Sequence, residues 1–361
     1  MRGVCVRVTP ARPERFLIHR AAAILRRGGL VAFPTETVYG LGAVAFAAGA
    51  VKRIFAVKGR PADNPLIVHV GYRWQVKDVA RVTPQARKLM RLFWPGPLTL
   101  VLPARPGLPA EVTAGLSTVG VRQPDHPVAL ALLRTLGQPV AAPSANRSGR
   151  PSPTTGRHVR EDLGGQVDMI LEAGPCRVGL ESTVLDLTAE VPVILRPGGI
   201  SREALERILG QVALDPALAG EAVPKSPGQK YRHYAPRAEV QLVPGEPPGL
   251  ASLMVSRATE LAAGGRRVGL LVSEETAACF GEQVREKYHL QVLGSRRQLE
   301  VVAGRLYEAL LSCDRRGMEV ILAETFPDRG LGLAIMNRLR KAAGAGRENT
   351  FPPATGSAAR L

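Results

Sequence analysis

The 361-residue sequence predicts an α/β protein in two parts, a mixed sheet flanked by helices followed by a smaller parallel sheet unit. Two observations carry the prediction. In the first half, short apolar runs alternate with runs of helical period, and two strands, STVLDLT and VPVILRPG, are separated only by Ala189 and Glu190. That spacing suits an antiparallel hairpin, so the first sheet cannot be purely parallel. In the second half four strands alternate with helices, the pattern of successive βα units.

Taken in order, PERFLIHRAAAILRRGG reads as a helix, GLVAFPT as a strand, AVKRIFAVKG as a helix and PLIVHV as a strand. Strands follow at LTLVLP, VGVRQP, PVAAPSA, DMILEAG, STVLDLT and VPVILRPG, with helices near 84–93, 126–136 and 157–164. The first domain is expected to span 1–212, closing with the helix SREALERILG. Residues 213–237 carry prolines and no sustained periodicity, and read as a linker or ordered loop. A Rossmann-like unit is expected over 238–346, with strands at EVQLVPG, RRVGLLVS, HLQVLGS and MEVILAE and a last helix in GLGLAIMNRLRKAAG. Residues 347–361 read as a flexible tail.

Composition narrows the function classes. The four cysteines, Cys5, Cys176, Cys279 and Cys313, form no CxxC pair, which argues against a zinc ribbon, a redox motif or a disulfide scaffold. The N-terminal stretch has no apolar signal region and no later run approaches membrane-spanning length, so a soluble cytoplasmic protein is expected. Of the net charge of +17, residues 1–212 hold 28 Lys and Arg against 15 Asp and Glu, and residues 238–361 hold 16 against 14. A basic first half suits nucleotide phosphates or RNA, though scattered surface arginines explain it equally well.

No Walker-type phosphate loop occurs, and YGLGAVAFAAG lacks the third glycine of a dinucleotide fingerprint, so Gly40 and Gly42 read as turn glycines. Five strand ends carry polar residues: Thr35, Glu36, Thr37 and Tyr39; Ser144, Asn146, Arg147 and Ser148, with Ser152 beyond; Arg122, four residues after Thr118; Glu181, Ser182 and Thr183, which begin their strand; and Arg196. Each alone fits turn or capping chemistry. Together they suggest one polar, cationic crater at the edge of a sheet, where α/β proteins tend to bind ligands. The turn KGRPADNPLIVHV adds Lys58 and Arg60 at one end of a strand and His69 at the other; each could equally be a solvated loop charge or a packed histidine. No catalytic triad, HExxH or paired-carboxylate cluster is evident. Fixed cations with hydroxyl donors suit phosphoryl or nucleotidyl transfer, in which a protein mainly positions reactants and neutralises phosphate charge.

FPTETVYGLG, KGRPADNPLIVH, FWPGPLT, VGVRQPDH, APSANRSGRPSPT, ESTVLD and LRPGGIS, in this order, resemble the YrdC-like domain of threonylcarbamoyl-AMP synthases. SPGQKYRHYAP and GLGLAIMNRLRKAA resemble the two-domain form, so the likeness covers roughly 14–345. The resemblance implies a YrdC-like mixed twisted sheet. It also implies synthesis of threonylcarbamoyl-AMP from L-threonine, bicarbonate and ATP, with pyrophosphate released, for N6-threonylcarbamoyladenosine beside the tRNA anticodon. It places Lys58, Arg60, Ser144 and Asn146 in the catalytic cavity. Thr37, His69, Arg122, Ala142 and Ser182 match positions that hold threonine, with Arg122 on its carboxylate. Arg60, Asn64, Thr118, Ser144, Ser152, Arg196 and Tyr234 match ATP-contacting positions, and Mg2+ is expected to enter with the ATP. The metal ligands are left open. Gln229 departs from the methionine more usual in the linker motif. Residues 225–236 are expected to form a lid, and the tRNA threonylcarbamoyl-transferring machinery is the expected downstream partner. An RNA-binding module without chemistry is the rival reading, and the low aromatic content of 4% speaks against it. A carbamoyl transferase of the hydrogenase-maturation type is a second rival, but its zinc-finger and acylphosphatase-like segments are missing from the sequence.

Overall fold

The computed structural model describes residues 3–218 and 234–344. Of the expected lid only residues 234–236 fall within these bounds; Gln229 and the tail 347–361 lie outside them. Among the described residues, no helix is long and apolar enough to cross a membrane.

The first sheet is built from β1 (Val4–Arg7), β2 (Val31–Phe33), β3 (Gly40–Val44), β4 (Ile67–His69), β5 (Leu98–Pro103), β6 (Thr118–Arg122), β7 (Val140–Ala141), β8 (Met169–Glu172), β9 (Thr183–Asp186), β10 (Val193–Arg196) and β11 (Ala213–Leu214). Their spatial order is β1-β8-β2-β3-β7-β4-β6-β5-β9-β10-β11. The sheet is mixed: β4 runs parallel to β6, while β7 is antiparallel to both β3 and β4. The expected hairpin is present, with β9 and β10 antiparallel. Helices cover both faces. Arg15–Arg26 and Pro127–Leu136 bury Leu17, Ala21, Leu25, Leu132 and Leu133 against Val31 and Phe33 on one side. Ala48–Lys58, Pro84–Phe93, Gly156–Leu163 and Arg202–Leu209 pack on the other. Three of these starts are set locally, where Thr83, Thr155 and Ser201 each accept a bond from a backbone N–H in the first helical turn.

Two expectations need correction. Gly40 and Gly42 are not turn residues; they lie in β3, paired antiparallel to β2. A Cβ on Gly42 would sit 2.8 Å from both the Phe33 ring and Val140 Cγ1, so glycine is there because neighbouring side chains close over the strand. Residues 213–218, expected as linker, instead supply β11 at the sheet edge, parallel to β10, and a 3-10 turn at Pro216–Leu218.

The second sheet comprises β12 (Glu239–Val243), β13 (Val268–Val272), β14 (His289–Val292) and β15 (Val320–Glu324), all parallel in the order β12-β15-β13-β14. Helices Leu299–Arg315 and Leu331–Ala343 lie between this sheet and the first unit. Their Leu306, Tyr307, Leu310 and Leu339 share one apolar cluster with Val38 and Leu180 of the first unit.

Candidate active site

The sequence reading gathered five polar strand ends into one crater at one edge of the sheet; residues from all five do border one cleft, but the register of β7 overturns the single edge. Because β7 is antiparallel to β4, His69 faces Val140 at the entry of β7, while the chain leaving β7 runs back past Ile67, whose carbonyl accepts the Ala142 N–H at 2.9 Å. Ser144 and His69 therefore lie toward opposite ends of β4. The result is a cleft laid along that strand, bordered by Pro65, Leu66, Ile67 and His69 in turn.

At the Ser144 end, the helix Ala48–Lys58 stops at Gly59, whose φ of 59° turns the chain toward Arg60. Arg60 borders the cleft and donates to the carbonyls of Asn64 (3.2 Å from Nη2) and Pro65 (3.1 Å). Burial lowers its guanidinium to about 10, against an opposing effect of Tyr234, so it remains charged at neutral pH. Lys58 does not border the cleft. Its buried Nζ donates to the backbone carbonyls of Ser144 (2.6 Å) and Asn146 (2.5 Å), tying down the Ser-Asn loop from behind. Burial, reinforced by Arg60, pulls its amine well below the ordinary lysine range. Asn146 is likewise turned into the loop, donating to the carbonyls of Arg147 and Arg150. Asn64 is buried, and neither polar atom of its side chain has a partner among the described residues.

At the other end, His69 and Arg122 are register neighbours on β4 and β6. His69 Nδ1 lies 3.3 Å from the Ile67 carbonyl and its ring stands edge-on to Phe33. Burial, then the Arg122 charge, lowers the imidazole to about 3, so it is neutral at physiological pH. Arg122 is held by Glu36 Oε2 at 2.6 Å and by the Thr37 hydroxyl at 2.9 Å. This buried ion pair was not foreseen, although Glu36 had been noted among the polar residues after β2. Arg122 Nε and Glu36 Oε1 have no partner among the described residues, which leaves bonding capacity at this end. Ser182 shares a hydroxyl bond with Thr99 (2.8 Å) and receives Arg196 at its carbonyl (3.0 Å from Nη2) and its hydroxyl (3.2 Å).

All five positions matched to threonine, Thr37, His69, Arg122, Ala142 and Ser182, border this cleft. So do Arg60, Ser144, Arg196 and Tyr234. Lys58, Asn64, Thr118, Asn146 and Ser152 do not. Thr118 opens β6 opposite Pro103, four residues from Arg122, and the Ser152 hydroxyl donates to Glu181 Oε1 at 2.5 Å.

Sequence reasoning missed the contribution of the second unit. Glu181 borders the cleft and accepts from Ser152, from the Tyr307 hydroxyl (3.0 Å) and from Arg338 Nε (2.9 Å). Burial would raise its carboxyl, but Arg338 and then Arg196 outweigh that and hold it at about 2. Arg338 left a signal in the sequence: it shares a helix face with Ala334 and Ala342, where a charge is out of place.

Three cleft guanidiniums, a neutral imidazole and a row of hydroxyls, laid along one strand of a mixed sheet and closed by a second α/β unit, define a two-domain protein built to hold small anionic ligands. Comparison with known proteins is specific. Residues 23–198 match the family described as Telomere recombination, and residues 200–344 match that described as Threonylcarbamoyl-AMP synthase, C-terminal domain. The threonylcarbamoyl-AMP synthase of Bacillus subtilis is 51% identical over 91% of this chain and 93% of its own length. That of Pyrococcus abyssi is 47% identical over 92% and 96%. The crystal structure of P. abyssi Sua5 complexed with L-threonine superposes with a TM-score of 0.89 at 46% identity, covering 94% of this chain and 98% of that one. The chain belongs to the threonylcarbamoyl-AMP synthase family, which bears out the resemblance read from its motifs and the α/β class.

Proposed function

We propose that this chain joins L-threonine, bicarbonate or carbon dioxide, and ATP into threonylcarbamoyl-AMP and pyrophosphate, as a nucleotidyltransferase. The observation that carries the reading is the grouping of Thr37, His69, Arg122, Ala142 and Ser182 around one cleft whose other end presents Arg60 and Ser144. Support comes from the Pyrococcus relative, whose structure holds L-threonine.

In this reading the threonine amine forms an N–C bond to the carbon of carbon dioxide and gives up a proton, leaving a carbamate. A carbamate oxygen then bonds to the α-phosphorus of ATP as the bond to the bridging oxygen breaks, and pyrophosphate leaves. The first step needs a neutral amine. His69, uncharged at working pH, adds no positive charge beside Arg122 and can accept a hydrogen bond from that amine. Arg122, already neutralised on one edge by Glu36, meets the substrate carboxylate through N–H groups that Glu36 and Thr37 leave unused. Arg60 and Arg196 face the phosphates, where fixed cations stabilise charge that spreads during transfer. Holding the substrates end to end along β4 supplies the entropic part of the rate. Magnesium enters as part of the ATP substrate. Glu181, which borders the cleft, and Glu36 behind Arg122 are each bound to a guanidinium, so the fit is to a cation carried by the phosphates. The product passes in the cytoplasm to the machinery that forms N6-threonylcarbamoyladenosine in tRNA.

The test is pyrophosphate release with each substrate omitted in turn. Release that requires both threonine and bicarbonate is expected, with serine poorer by the worth of one methyl group, about 1–3 kcal/mol. Equal release without threonine would overturn the assignment.

A further inference from the structure

We propose that Arg338, on the last helix of the second unit, is a positioning residue for the cleft, and that this is the second unit's contribution to synthesis. The proposal rests on the function proposed above and extends it to a residue outside the cleft.

Arg338 is fully buried, and its guanidinium reaches two points of the first unit. Nε donates to Glu181 Oε2 at 2.9 Å and Nη1 donates to the Pro197 carbonyl at 2.6 Å. Nη2 also lies 2.9 Å from Oε2 but makes no hydrogen bond there, so the Nε contact carries the link. Glu181 immediately precedes Ser182 in the chain, and Pro197 immediately follows Arg196. Ser182 and Arg196 are the bonded pair at the mouth of the β9–β10 hairpin, and both border the cleft. One side chain from the second unit thus clamps the chain neighbour of each partner.

The same guanidinium stands 5.2 Å from the ring centre of Tyr234, which also borders the cleft. Tyr234 has a φ of 63°, a conformation that side-chain-bearing residues rarely adopt and that persists only where the surroundings impose it. Those surroundings include Arg338 and the Tyr307 ring, 5.7 Å away, with the next residue fixed by the bond from Ala235 N–H to the Gly149 carbonyl. Docking two units needs no buried charge, since a well-packed apolar side chain of similar volume often serves as well or better. An arginine that meets Glu181, Pro197 and Tyr234 at once orients them, which packing alone does not.

The test uses the full chain with Arg338→Met, Arg338→Lys and Tyr307→Phe. Three quantities are measured: melting temperature, kcat and KM for pyrophosphate release, and affinity for a non-hydrolysable ATP analogue by calorimetry. Arg338→Met is expected to weaken nucleotide binding and raise the KM for ATP by about tenfold, with the KM for threonine moving less. Arg338→Lys, which keeps the charge but cannot span both Glu181 and Pro197, should recover part of the loss. Tyr307→Phe, which removes only a hydroxyl bonded to Glu181, should shift nucleotide affinity in the same direction by a smaller factor. If Arg338→Met fails to fold, the other two variants decide. Variants that melt lower but keep wild-type KM and analogue affinity per folded molecule would show that Arg338 only holds the units together, and would overturn the proposal. The wild-type protein's dependence on threonine tests the underlying function separately, and analogue affinity is read without turnover, so the two failures are distinguishable.

Discussion

Burial and the neighbouring Arg122 hold His69 at about 3, against 6.5 for a free histidine. Between those values the unfolded chain binds a proton that the folded chain refuses. Folding is therefore undiminished above pH 6.5 and weakens as pH falls toward 3, by about 2 kcal/mol at pH 5. Urea unfolding at pH 7.5 and 5.0 should show a larger loss in the wild type than in His69→Gln; equal losses would mean that the imidazole is not held neutral. Lys58 gives a second prediction. Its Nζ satisfies the Ser144 and Asn146 carbonyls, so Lys58→Met should lower stability by about 2 kcal/mol as well as slowing turnover, because buried carbonyls lose their donor. An unchanged melting temperature with lost activity would instead place the ammonium among the phosphates. The sequence showed which residues carry charge, and motif matches picked out five residues, Thr37, His69, Arg122, Ala142 and Ser182, that border one cleft. It did not show where a charge points: Lys58 sits at a helix end from which the side chain could have turned either way. The Glu36–Arg122 pair was hidden because 86 residues separate its members.

The β9–β10 hairpin was readable because a short break between two apolar runs leaves few alternatives, although in the fold residues 187–192 separate the strands. β3 was not, since its two glycines carry no apolar signal, and their cause, the approach of Phe33 and Val140, exists only in the folded sheet. The direction of the two-residue β7 was equally hidden, and it decides whether the cleft lies beyond the strands or along one of them. Gly198 offers a test at this scale. A Cβ there would lie 2.3 Å from the Thr183 nitrogen and 2.4 Å from the Glu181 oxygen, both backbone atoms that cannot swing aside. Gly198→Ala should displace the entry of β9 together with Ser182, lowering stability by about 1–3 kcal/mol and raising the KM for both threonine and ATP. Thermal denaturation beside steady-state kinetics checks this, and a variant with wild-type KM values would show that the hairpin mouth tolerates the shift.

The division into a basic first unit and a nearly neutral second one could be read from charge counts and strand periodicity, but their docking could not. The cross-contacts join residues far apart in sequence, among them Arg150 with Asp314 and the His158 ring with Glu308 at 2.5 Å. Val38 and Leu180 sit in the same apolar cluster as Leu306 and Leu339. A shared core of this kind predicts one calorimetric unfolding transition for the full chain, and two well-separated transitions would contradict it. Glu181 touches the cleft on one side and the last helix on the other, and equilibrium coupling between two sites runs equally in both directions. Whatever free energy the second unit contributes to ligand binding, a bound ligand must return to the attachment of that unit. The amides of helix Leu331–Ala343, which a substrate need never touch, should then exchange with solvent deuterium more slowly when the cleft is filled, making the end of the chain a reporter of occupancy at its centre.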